Sequence, residues 1–303
     1  MLAPLLSFEA PPVLFQDLKV EPEEARSILR PQRDDRYGFG YALSPYRGCA
    51  HGCRYCYVRE YPHALHGSSD WGGWVTPKLN APELLWSQRH KLHEQAVFLA
   101  TATDPYQPIE REFRLTRACL KVLLDCPTTR VLLHTRSALV LQDLDLLKDF
   151  GDRLTVGFSI PTDDDMVRQV VEPKAPPIPT RWAAVERLVK AGLRVGVAAT
   201  PLMAMTDPEG FARRGRDSGI SGLWVGSLRL LKNDPFYEVL ARNQWLKVLD
   251  PDYVEEIRGI LQGALPAVRR GIRKNPGKPC LQPVVTRLVP PQPRHPSLFE
   301  GIG

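Results

Sequence analysis

Ser44-Pro45-Tyr46-Arg47-Gly48-Cys49-Ala50-His51-Gly52-Cys53-Arg54-Tyr55-Cys56-Tyr57 carries three thiols, spaced C-x3-C-x2-C, within eight consecutive residues. Soft thiolates this close together can face one metal centre, and Gly48 and Gly52 permit the tight backbone path around it. Two kinds of centre fit. Zinc would take a fourth ligand, for which His51, His63 or His66 is at hand. An iron-sulfur cluster on three cysteines would leave one iron open to a small molecule. The four-cysteine spacings of electron-transfer ferredoxins are not matched, because Cys119, Cys126 and Cys280 lie far along the chain. The bland alternative is a chance grouping of structural cysteines.

The loop follows the first of six short apolar runs: Gly40 to Leu43, Ala96 to Thr101, Arg130 to Thr135, Leu154 to Ile160, Val195 to Thr200 and Leu223 to Val225. Helical spacing fills the intervals at Pro82 to Glu94, Leu115 to Leu124, Leu139 to Phe150, Asp163 to Val171, Arg181 to Ala191 and Pro208 to Ser218. Asp163, Asp164 and Asp165 put negative charge where a helix begins, and Gly192 after Lys190 reads as a stop. Continuous apolar strands joined by helices imply parallel neighbours covered on the outside. Six units fall short of a closed eight-unit barrel. The expected fold is therefore α/β, a partial (β/α)6 TIM-like barrel with a C-terminal helical extension; a doubly wound sheet is the alternative. Either architecture puts chemistry at the carboxyl ends of the strands.

Residues 37–230 form the expected core domain. Residues 1–36, rich in Pro, Glu and Arg, read as an N-terminal arm, and 231–303 as a helical cap, with helical pattern at Pro235 to Leu249 and Pro251 to Ala264, running into a Pro-rich tail. A hydrophobic content of 43% over 303 residues excludes a disordered or fibrous chain. The net charge of +6 favours nucleic acid, a nucleotide or another anionic substrate. Met1 to Val13 lacks the basic start of a signal peptide, and no apolar run reaches transmembrane length. A monomer of the reducing cytoplasm is expected, without membrane attachment, where clustered cysteines serve metals rather than disulfides.

With Tyr55 before the third cysteine, and the loop placed after the first of six strands, the chain resembles the radical SAM superfamily. The resemblance implies that Cys49, Cys53 and Cys56 hold a [4Fe-4S] cluster whose open iron is chelated by S-adenosylmethionine. An electron from a flavodoxin- or ferredoxin-type donor would then cleave this cofactor to methionine and a 5'-deoxyadenosyl radical that abstracts hydrogen from substrate. Further pieces are similar to uncharacterised relatives of spore photoproduct lyase: Thr101-Ala102-Thr103-Asp104-Pro105-Tyr106-Gln107-Pro108-Ile109-Glu110, Arg114-Leu115-Thr116-Arg117, and Glu172-Pro173-Lys174-Ala175-Pro176 with Arg181. The resemblance spans Tyr41 to Arg229. It assigns Tyr55 to the adenine, Thr103 and Asp104 to the cofactor amino group, and Arg136, where relatives carry Lys, to its carboxylate. Ser159 falls to the carboxylate or ribose. One departure concerns the reaction: photoproduct lyases keep a cysteine hydrogen donor at the second strand end, and this chain reads Thr101-Ala102-Thr103.

The expected function is thus radical SAM catalysis on an unknown substrate. A DNA photoproduct lyase-type repair enzyme and a non-catalytic, zinc-stabilised nucleic-acid-binding protein are the alternatives. Other constellations have plainer readings. Cys119 and Cys126 are expected on one buried helix face, Met203 and Met205 in the core, and His90 and His93 on an exposed helix. Arg213, Arg214 and Arg216, like Arg269, Arg270, Arg273 and Lys274, read as solvated faces, with Phe236, Tyr237 and Trp245 as candidates for base stacking. Neither a Walker loop nor a G-x-G-x-x-G fingerprint is present.

Overall fold

Six of the β-branched runs become strands: β2 (Tyr41–Leu43), β3 (Ala96–Leu99), β4 (Arg130–Thr135), β5 (Leu154–Ser159), β6 (Arg194–Ala199) and β7 (Gly222–Val225), preceded by β1 (Leu29–Pro31). The computed structural model describes residues 18–32, 38–60, 71–230 and 233–264, with the backbone alone for 60, 264, 268–270 and 286–288. The strands lie in one sheet in the order β7-β6-β5-β4-β3-β2-β1. Every pair from β2 to β7 is parallel, and β1 runs antiparallel along the β2 edge. This is an open α/β sheet, consistent with a partial TIM-like barrel.

Register explains why the apolar runs are continuous. Leu43, Leu99, Leu133, Val156 and Val195 stand side by side across five strands, each no more than 1% exposed. Each such side chain contributes roughly 2 kcal/mol by leaving water. The other face is covered too: every residue of β5 is buried.

The helices follow the predicted intervals with informative differences at their ends. Those of six residues or more are α1 (Ala81–Gln88), α2 (Leu115–Leu124), α3 (Leu144–Asp149), α4 (Asp165–Val171), α5 (Ile178–Lys190), α6 (Pro208–Asp217), α7 (Phe236–Arg242) and α8 (Pro251–Ala264), with a single turn at Glu110–Phe113 before α2. In α5, Ile178, Arg181, Trp182, Val185 and Leu188 form the buried stripe. The three aspartates divide their work. Asp164 caps α4 by accepting from the Met166 amide at 2.7 Å, Asp163 accepts from the Thr206 amide, and Asp165 binds Arg168 and the Ile178 amide. The run expected over Pro235 to Leu249 breaks because Gln244 adopts φ +60, which ends α7 before a separate 3-10 turn at Leu246–Leu249. Cys126 lies beyond the end of α2, so it does not share a helix face with Cys119, although both are buried. The segment read as an arm supplies β1 and a short strand, Lys19–Val20. No helix among the described residues is long and apolar enough to cross a membrane.

A second, small sheet carries the cysteine loop. Lys19–Val20, Trp74–Pro77 and Tyr46–Gly48 pair in that order, and the Tyr46 hydroxyl donates to Glu110, which is fully buried. Glu110 also accepts from the amides of Thr116 and Arg117 at 3.0 and 3.1 Å, so one carboxylate ties the small sheet to the N-terminus of α2. Burial pushes its carboxyl up to about 6 from an ordinary 4.5. On the other side of the loop the backbone itself sets the limit. Gly72, at φ +95, packs so closely that an added Cβ would sit 2.6 Å from the Cα of Gly52.

Two outcomes follow from these contacts. Folded Glu110 holds its proton more tightly than the unfolded chain, so this contribution is complete below about pH 4.5 and is lost as pH rises through about 6. The unfolding free energy of the wild type, measured with urea at pH 4.5 and pH 7, should fall by about 2 kcal/mol relative to the same measurement on Glu110→Gln. Gly72→Ala should push Gly52 and the cysteine loop apart. Peptide mapping after alkylation of the apoprotein should show Cys49 and Cys53 labelled several-fold faster than in the wild type, with Cys119 unchanged.

Candidate cluster and cofactor site

The cysteine loop leaves the small sheet at Gly48, whose φ of +74 and approach to Trp74 exclude a side chain. Cys49 and Cys53 are buried, Cys56 is half-buried, and all three are free thiols. Strand-end groups fix the backbone between them. Gln107 accepts from the Ala50 amide at 2.8 Å and donates to Thr103 Oγ1 at 3.1 Å, and Thr103 in turn donates to the Gly48 carbonyl at 2.5 Å. Farther along, the Arg54 amide donates to the Val171 carbonyl at 2.9 Å. The His51 amide favours the thiolate of Cys49, and the amides of Val58 and Arg59 favour that of Cys56. Burial pushes Cys49 up to about 12 and raises Cys53 and Cys56 as well, with Arg136 pulling the other way at each. Binding a metal centre here therefore displaces protons from the thiols.

Two buried carboxylates organise the adjoining strand ends. Asp104, beyond β3, accepts from the Tyr106 amide at 2.9 Å, from Thr135 Oγ1 at 2.6 Å and from the Arg136 amide at 2.9 Å. Burial alone would raise its carboxyl, but the nearby His51 ring and Arg136 hold it well below the usual range. Glu172, at the end of α4 and fully buried, accepts from the Tyr55 hydroxyl, from Arg136 Nη1, and from Arg181 Nη2 at 2.5 Å. Arg136 also donates to the Tyr55 oxygen at 3.1 Å. Arg181, itself fully buried, donates to the carbonyls of Pro176 and Ser159 at 2.8 and 3.1 Å. The hydroxyl of Ser159 lies 3.0 Å from His134 Nε2, and burial beside Arg136 lowers that imidazole to about 4.

Cys49, Cys53, Tyr55, Cys56, Thr103, Asp104 and Arg136 therefore meet in one linked group, and Ser159 joins it through its carbonyl and Arg181. Their side chains are largely engaged with one another: Thr103 and Asp104 brace the loop, and the Tyr55 ring packs with Val167, Val171, Met203 and Phe236. Glu172 and Arg181 stood in the sequence as a motif without a role. Gln107 likewise stood within the piece from Thr101 to Glu110 without a role, since a Gln in a loop has no spacing that assigns it one. His90 and His93 are exposed, as expected, and Met203 and Met205 are buried. Arg213 and Arg214 on α6 are exposed and paired with Asp207, Glu209 and Glu186. His63, His66, Cys280, Arg273 and Lys274 lie outside the described residues, as do the side chains of Arg269 and Arg270.

The residues present fit an iron-sulfur group. The donor set is three soft thiols whose anionic form is favoured by backbone amides at Cys49 and Cys56 and by the Arg136 charge at all three, which suits an anionic, sulfur-rich ligand. His51 is only 1% exposed; its Nε2 lies 3.4 Å from Asp104 Oδ2, while its Nδ1 has no hydrogen-bond partner within the chain. A buried Nδ1 left so, in the loop between Cys49 and Cys53, is costly unless a bound group supplies its partner. Among the described residues, no three His, Cys, Asp or Glu side chains are gathered as ligands of a single ion.

The family model of the radical SAM superfamily matches residues 43–211. An uncharacterised protein of Methanocaldococcus jannaschii is 31% identical over 166 residues, covering 55% of this chain and 61% of its own length. An uncharacterised protein of Mycobacterium tuberculosis is 29% identical over 181 residues, covering 57% and 52%. The matches thus span little more than half the length of these relatives. Among solved structures, a spore photoproduct lyase variant with a dinucleoside spore photoproduct superposes with a TM-score of 0.57 at 15% identity, covering 90% of this chain and 74% of that one. That likeness is one of fold. A superfamily model that takes in the cysteine loop and the strands from β3 to β6, together with a site built of three thiols, leaves one conclusion: the chain belongs to the radical SAM superfamily.

Proposed function

We propose that Cys49, Cys53 and Cys56 hold a [4Fe-4S] cluster and that S-adenosylmethionine binds over it, against Tyr55, Thr103, Asp104, Arg136 and Ser159. The observation that carries this reading is the confinement of three free thiols to one glycine-shaped loop, with the charge of Arg136 favouring the thiolate at each. When bound, the pair would supply one-electron reductive cleavage of the cofactor and a 5'-deoxyadenosyl radical for hydrogen abstraction.

The chain's own part is to position and to shield. Thr103 and Gln107 hold the loop backbone, so the thiols approach a cluster in a set geometry. Arg136 brings positive charge to the cofactor carboxylate, with the bidentate fork that lysine lacks. Phe236, Leu240 and Val248 from the C-terminal segment pack beside Cys53 and Tyr55 and exclude water on that side. The electron donor is of the flavodoxin or ferredoxin type, and the substrate is anionic, in keeping with the charge of +6. The fold likeness to spore photoproduct lyase favours a nucleic acid or nucleotide. Repair through a cysteine at the second strand end is not available, since Thr101 stands there and its carbonyl accepts from the Tyr57 hydroxyl at 2.7 Å.

Anaerobic reconstitution should give brown protein with about four irons per chain, and the reduced protein should release 5'-deoxyadenosine from S-adenosylmethionine. Cys53→Ala should lose the intact cluster, while Cys119→Ala should keep it. Colourless protein, or equal iron loss in the two variants, overturns the assignment. Incubation with irradiated thymine oligonucleotides separates the substrate classes: restored thymine would establish photoproduct repair by a route without the strand-end cysteine.

A further inference from the structure

The fully buried pair of Glu172 and Arg181 is not accounted for by packing alone. Burying an ion group is expensive, and well-packed apolar residues of similar volume often serve stability as well or better. Here the carboxylate has a specific set of partners. Its Oε1 takes both the Tyr55 hydroxyl, one residue before the third cysteine, and Arg136 Nη1, at the end of β4. Its Oε2 takes Arg181, which reaches back to the Ser159 carbonyl at the end of β5. One side chain thus joins the cysteine loop to two strand ends. Arg136 keeps 17% of its side chain accessible, whereas Glu172 and Arg181 keep none. Of the two guanidiniums on Glu172, that of Arg136 is the one with solvent access.

We infer that Glu172 is a positioning residue that sets where Arg136 stands at the cluster and cofactor site. This rests on the function proposed above. Glu172 touches neither thiol nor cofactor and acts through Arg136. A supporting residue of this kind typically governs ligand affinity by roughly tenfold or more.

A matched control exists within the same fold. Asp143 is also fully buried and also binds a tyrosine and two arginines, Tyr106, Arg114 and Arg117, at 2.8 to 3.0 Å, but on the α2 side of the sheet. Glu172→Gln and Asp143→Asn each remove one negative charge from a buried carboxylate bound to a tyrosine and two arginines, the arginines on Asp143 being the more exposed. Reconstituted wild type and both variants would be titrated with S-adenosylmethionine while following the paramagnetic resonance spectrum of the reduced cluster, with iron content and thermal unfolding measured alongside. Both variants should unfold at lower temperature. Only Glu172→Gln should bind at least about tenfold more weakly and show a shifted cluster midpoint potential, at unchanged iron content. In an Arg136→Ala background the same substitution should change affinity less than threefold, because its effect is routed through Arg136.

Equal affinities and potentials in Glu172→Gln and Asp143→Asn overturn the inference and leave the proposed function standing. A full additional loss in the Arg136→Ala background also overturns it. Should Glu172→Gln fail to accumulate, Arg181→Lys, a milder change to the same carboxylate, must move affinity in the same direction, and no movement overturns the inference. A wild type that assembles no cluster overturns the functional reading itself.

Discussion

Arg136 lies between two buried carboxylates, and the shape of the cysteine loop depends on that arrangement. Its amide donates to Asp104 and its guanidinium to Glu172. Through the first contact β4 is tied to the loop after β3, and through the second to the residue before the third cysteine. A loop of glycines and thiols has no secondary structure of its own to hold it. Parallel strands also diverge at their carboxyl ends, where no ladder continues. Side-chain hydrogen bonds to charged groups, each stronger than a neutral one, fill that gap.

The cost of this solution is visible in the composition of the site. Asp104, Glu172, Arg136 and Arg181 bring two negative and two positive charges out of water, and removing any one partner leaves an unpaired buried charge. The pairs are balanced in number but not in position: Arg181 is enclosed, while Arg136 keeps some solvent access and its charge acts on all three thiols. That asymmetry leaves positive charge where three thiolates or an anionic cluster would need it. The same loop is pressed from outside by the Gly52–Gly72 contact and from below by Phe236 and Leu240, so backbone, apolar packing and ion pairs act on one short segment.

Much of the framework was legible along the chain because parallel strands buried on both faces must be apolar throughout. Six such runs, from Tyr41–Leu43 to Gly222–Val225, were visible for that reason. Short edge pairings were not. Lys19–Val20 and Leu29–Pro31 are two and three residues long, with exposed positions, and are strands only because a partner strand waits beside them. Helix ends were blurred where a single residue decides them, as Gln244 does with its left-handed backbone.

At the site the division has the same cause. Thiol chemistry is local, so the spacing of Cys49, Cys53 and Cys56 by itself pointed to a metal centre, and the placement of the loop after the first strand put the three thiols at the strand ends. The residues that hold the loop are separated from it by long stretches of chain: Gln107 meets Ala50 across 57 positions and Glu172 meets Tyr55 across 117. No periodicity or spacing records such meetings. They exist only once the sheet brings the ends of β3, β4 and β5 side by side, because a hydrogen bond is settled by distance in space and not by distance along the chain.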